Sequence, residues 1–73
     1  MVKTAEQLRK RYPKGTCLRL KKPLDDPFTP KSTGDVMVVD YIDDMGQIHG
    51  RWKSGGSIAL LFGVDDFETV RGY

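Results

Sequence analysis

The chain has little of what usually holds a very small protein together. It contains one cysteine, Cys17, so no internal disulfide can form. It contains one histidine, His49, and no Cys/His cluster with zinc spacing. No apolar run approaches the ~20 residues that span a bilayer. The stretch from Met1 to Gln7 lacks the apolar segment of a signal peptide. A lone cysteine also favours a reducing compartment, and the expected location is cytoplasmic. No lysine follows the glycines at 55 and 56 in the manner of a phosphate-binding loop. Cofactors and metals are therefore not expected.

What is present suits one folded domain. Seventy-three residues allow a single unit over 1–73 with a modest core. With 38% hydrophobic and 30% charged residues, the composition is that of a folded chain, not a disordered one. Stability must then come from packing, aided or not by a partner. The net charge of +2 hides a lopsided distribution. Residues 1–22 carry eight lysines and arginines against Glu6 alone, whereas residues 23–73 carry four against nine carboxylates. Such asymmetry marks either a basic surface for a partner or a basic segment lying beside the domain's own acidic turns.

Thr4 followed by Gln7 forms a capping box, and Val2, Ala5, Leu8 and Tyr12 share one face at helical spacing. Pro13 and Gly15 end the segment, so a short helix is expected over about 4–12. Alternation in 16–22 puts Leu18 and Leu20 inside and Cys17, Arg19 and Lys21 outside. Pro23, Pro27 and Pro30 make residues 24–34 a long irregular loop, with Leu24 and Phe28 expected to pack over the core. In 36–42, two alternating apolar sets compete for the inside, which a bulge near Asp40 would resolve. A turn at 43–46 leads to a strand at 47–52 with Ile48, Gly50 and Trp52 on one face and His49, Arg51 and Lys53 on the other. Ser54–Gly56 is read as a hairpin turn and 57–62 as a fourth strand with Ile58 and Leu60 inward. Residues 63–67 are read as a 3₁₀-type turn tucking Phe67 inward, and 68–71 as a closing strand. This order predicts a mainly β fold: a small five-stranded SH3-like antiparallel barrel over about 16–72, with the N-terminal helix capping one end.

The segments R-Y-P-K-G-T-C-L-R-L at 11–20, D-D-P-F-T-P at 25–30, I-D-D-M-G-Q-I-H-G-R-W at 42–52 and G-G-S-I-A-L-L-F-G-V-D-D-F at 55–67 resemble a family of small bacterial domains of unknown function. Glycine usually stands at the position of Met37 in that family, and valine at that of Gly50. The resemblance implies the barrel fold and a setting in Gram-positive bacteria and their mobile elements. It implies no catalytic residues.

Candidate chemistry is sparse. His49 is expected to face outward beside Arg51, in cross-strand contact. Cys17 has Arg19 and Lys21 on its face but no base in sequence. The Asp pairs at 25–26, 43–44 and 65–66 lack calcium-loop spacing and suit turns. The expectation is a non-catalytic interaction module for a protein partner. One version is a mobile-element accessory or anti-defence protein, by analogy of setting alone. The alternative is a nucleic-acid-binding barrel, with aromatic groups beside cations. Trp52, Phe62 and Phe67 suit the core, while Tyr12, Phe28, Tyr41 and Tyr73 are open to other roles. The candidate contacts are Arg9, Lys10, Lys14, Arg19, Lys21, Phe28, Tyr41, Arg51 and Lys53, with Phe28, Tyr41 and Trp52 expected in a common groove. No membrane contact is expected.

Overall fold

A computed structural model describes residues 4–71. Within them, Thr4 begins helix α1, Ala5–Arg11. The Thr4 hydroxyl accepts from the Gln7 amide at 3.2 Å and the Gln7 side chain accepts from the Thr4 amide at 3.0 Å, so the capping box is closed. Tyr12 leaves helical geometry before Pro13, as the proline demands. Leu8 and Tyr12 are buried and Ala5 is partly so, while Val2 and Tyr73 lie outside the described residues. Packing, not length, holds so short a helix.

Five strands follow: β1 Cys17–Leu20, β2 Val36–Ile42, β3 Gln47–Trp52, β4 Leu60–Leu61 and β5 Phe67–Val70. They form one antiparallel sheet in the order β4-β3-β2-β1-β5. β4 and β5 are its two edges, and pairing between them does not close the sheet. The fold is therefore mainly β, with five antiparallel strands and one short helix.

The bulge lies where the apolar conflict put it. The β2–β3 register shifts between Val39 and Tyr41, leaving Asp40 as the extra residue. Met37 and Val39 point into the core, and after the shift Ile42 does so in place of Tyr41. Leu18, Leu20, Ile48, Trp52 and Leu60 complete the interior. Met37 and Gly50, the two departures from the resembling pattern, are neighbours there. A Cβ on Gly50 would lie 2.8 Å from the Met37 sulfur, so the methionine fills space that a side chain at 50 would need.

Several expectations are corrected. The fourth strand is two residues long, because the chain from Lys53 to Ala59 runs as a loop instead of a tight hairpin. Its path is set by the Trp52 indole, which donates to the Ile58 carbonyl at 2.8 Å. The turn expected over 63–67 lies at 61–65, where the Val64 amide makes a 3₁₀-type bond to the Leu61 carbonyl and the Asp65 amide shares that oxygen. Cys17 sits on the outer face, as alternation requires, yet is buried there. Its register neighbours Val38 and Val70 make that face locally apolar. Loop 24–34 is not wholly irregular: Leu24 and Lys31 pair through both backbone groups. Leu24 packs on the core as expected, whereas Phe28 stands 90% exposed at the loop tip.

Candidate functional site

The turn between β2 and β3 is built around one carboxylate. Asp43 Oδ1 accepts from the Met45 amide at 3.0 Å and the Gln47 amide at 2.9 Å, while Gly46 turns the chain at φ +85°. The other oxygen, Oδ2, accepts from His49 Nε2 at 2.8 Å. The β2–β3 register sets Tyr41 opposite His49, and their rings stack with centroids 4.6 Å apart and planes 6° apart. The D-D-M-G-Q-I-H block is thus a single unit: the first aspartate shapes the turn and also orients the histidine. Tyr41 stays 56% exposed on the outer face of the sheet.

Beside Tyr41, between α1 and β2, lies a cleft of about 180 Å³. Arg9, Tyr12, Pro13, Lys14, Asp40, Tyr41 and Ile42 line it. Its cations are both engaged. Arg9 donates to the Ile42 carbonyl and to Asp44 Oδ1, each at 3.0 Å, and Lys14 lies 3.6 Å from Asp40.

The cleft unites Arg9, Lys14 and Tyr41 out of the nine residues expected to contact a partner. Lys10 is exposed on α1. Arg19 is held by Glu68 Oε2, at 3.0 Å from Nε and 2.5 Å from Nη2. Lys21 follows β1 and acts electrostatically on the same glutamate. Arg51 and Lys53 are exposed on and just after β3. The expected groove of Phe28, Tyr41 and Trp52 is not formed. Trp52 is buried, and Phe28 lies on the loop that touches the 54–56 turn, by the Val36 end of β2. Tyr41 lies five residues along that strand, on the order of 17 Å away. Among the described residues, the aspartate pairs do not converge into a group able to hold a metal ion. Cys17 and His49 lie on β1 and β3 with β2 between them, so roughly 9–10 Å of sheet separates any nucleophile from that imidazole.

Sequence reading missed three participants. Asp43 was legible as a turn residue, and its six-residue spacing to His49 across a tight turn was the available signal. Pro13 and Ile42 enter the cleft only through the docking of α1.

Three carboxylates sit below their ordinary range. The His49 hydrogen bond, then that from the Gln47 amide, holds Asp43 down. The Thr29 and Phe28 amides do the same for Asp26, and the Arg19 hydrogen bond does so for Glu68. A carboxyl depressed on folding contributes stability above its unfolded pKa and loses it as pH falls through the folded one. The urea midpoint should therefore be insensitive to these groups above about pH 4 and fall below it. Asp43→Asn should make that fall shallower. A pH series of urea titrations checks this, and an Asp43→Asn profile that keeps the full acid fall would contradict it.

Residues 1–70 match the family described as Domain of unknown function (DUF4314). No curated protein and no solved structure matches the chain.

Proposed function

The chain belongs to the DUF4314 family, whose description carries no activity, and from its own surface we propose that it is a non-catalytic module that binds a protein partner through Tyr41 and the adjoining α1–β2 cleft. The observation that carries this reading is the pairing of three cations of the basic segment with the domain's own carboxylates: Arg9 with Asp44, Lys14 with Asp40, Arg19 with Glu68. Exposed pairs of this kind add little to stability. They do weaken the field that would attract a phosphate backbone, because opposite charges within 4 Å act as a dipole beyond the Debye length of about 8 Å. Beside the Arg9 and Lys14 pairs stands Tyr41, stacked and held by His49, next to a preformed concavity. A half-exposed aromatic with its conformation already fixed loses little entropy on docking.

The same reading takes the architecture as an SH3-like barrel left open between β4 and β5. Strand, long loop, three-strand meander and returning strand follow in that order. A role beside mobile elements belongs to this proposal by analogy of setting alone.

The test is affinity capture from a bacterial lysate, with and without nuclease. The expected result is a protein that survives nuclease, is lost with Tyr41→Ala and is retained with Lys10→Ala. Capture that vanishes with nuclease, together with salt-dependent DNA or RNA binding by anisotropy, would replace this reading with the nucleic-acid one.

A further inference from the structure

A second concavity, about 220 Å³, lies along the β4 edge, away from Tyr41. Leu24, Ile58, Ala59 and Leu61 give it apolar lining. Its rim carries three carboxylates, Asp25, Asp26 and Asp65, and no cation lines it. The local sign is thus opposite to the net charge of +2. Asp26 and Asp65 each use one oxygen to shape a turn: Asp26 Oδ1 takes the Phe28 and Thr29 amides, and Asp65 Oδ2 takes the Leu61 amide. Asp25 is exposed.

The backbone at this edge is closed at one residue and open at another. Gln47 directs its amide to the Asp43 carboxylate and its carbonyl to the Asp43 amide, toward β2. Alternation then turns Ile48 and its partner Leu60 toward each other, and turns Leu61 away from the sheet. The outward groups of Leu61 are taken, the amide by Asp65 and the carbonyl by the amides of Val64 and Asp65. Ala59, just before β4, makes no backbone–backbone hydrogen bond among the described residues.

We propose that this groove binds a short extended peptide segment in which one apolar side chain is flanked by lysine or arginine. The apolar lining takes the apolar side chain, and Ala59 supplies one backbone pairing. The rim pairs with the flanking cations through the carboxylate oxygens that the turns leave unused. Charge selects this occupant. An acidic segment is repelled, and a second copy related by a two-fold axis would bring the same acidic rim against itself. The proposal deepens the protein-binding reading with a site separate from the Tyr41 cleft.

The test is two-dimensional NMR of the ¹⁵N-labelled full chain, titrated with the blocked peptides Gly-Lys-Leu-Lys-Gly and Gly-Glu-Leu-Glu-Gly. The lysine peptide should shift the amides of Asp25, Ala59 and Leu61 at millimolar concentration. Its affinity should fall about three- to tenfold between about 20 mM and about 200 mM salt, as expected for partly exposed charges. Asp25→Lys, at an exposed position, should weaken it about tenfold, whereas Tyr41→Ala should leave it unchanged. The Tyr41 variant separates this site from the cleft, so either can fail alone. Equal shifts with the glutamate peptide, shifts confined to other residues, or no shift at millimolar lysine peptide would overturn the proposal.

Discussion

Gly50→Ala should destabilise the domain by about 3 kcal/mol or more. A chain of this length is expected to have only about 4–11 kcal/mol in total, so much of the population would unfold at moderate urea. The cause is space, not backbone conformation, since Gly50 is not among the glycines with positive φ. A Cβ built there falls inside contact distance of the Val38 carbonyl oxygen, and 2.8 and 2.9 Å from Met37 Sδ and Cγ. A methionine can change rotamer, but the Val38 carbonyl belongs to the β2 backbone and cannot move without disturbing the register beside the bulge. The double variant Met37→Ala/Gly50→Ala should therefore recover only part of the loss. Urea unfolding followed by far-UV circular dichroism measures both. A Gly50→Ala midpoint equal to that of the parent would show that the β2–β3 pair relaxes freely.

Lys31→Ala is the second large effect, expected at about 2–3 kcal/mol. Lysine is seldom buried, yet Lys31 is only 7% exposed. Its ammonium donates to Ser54 Oγ at 3.0 Å and to the Gly55 carbonyl, and it sits 5.3 Å from the centre of the Trp52 ring. The side chain thus ties loop 24–34 to the turn after β3 and covers the indole whose N–H the Ile58 carbonyl holds. Alanine removes both the stem and the charge. Lys31→Met retains most of the stem, so the difference between the two variants isolates the ammonium. Trp52 is the only tryptophan, so its emission reports the site directly. Unchanged emission and an unchanged midpoint in Lys31→Ala would dismiss the latch.

The local features of this chain could be read residue by residue. The Thr4–Gln7 box, the stop at Pro13 and the positive-φ glycines at 46, 55 and 56 depend on neighbours within four residues. The Asp40 bulge was readable for a related reason: two apolar sets on one strand cannot both face inward. Cys17 misled because alternation reports the face of a sheet and not what covers that face; Val38 and Val70 come from other strands. The fourth strand misled because its partner, not its composition, sets its length, and the Trp52–Ile58 bond spends the first residues on a loop.

For the candidate sites, the sequence supplied the ingredients without their pairing. It contained a basic segment and acidic turns, but local pattern carries no information on contacts 33 to 49 residues apart, such as Arg9 with Ile42 or Arg19 with Glu68. Nor could it separate Phe28 from Tyr41 or gather Leu24, Ile58 and Asp65 around one groove. By itself, the sequence determined a β-rich fold with one short capped helix, because backbone geometry and hydrophobic period act locally. Only the tertiary structure decided that Arg9, Lys14 and Arg19 are answered by carboxylates within the chain and that an acid-rimmed groove with apolar lining remains at the β4 edge. Those outcomes depend on which strands become neighbours, and strand order is settled by the packing of the whole core.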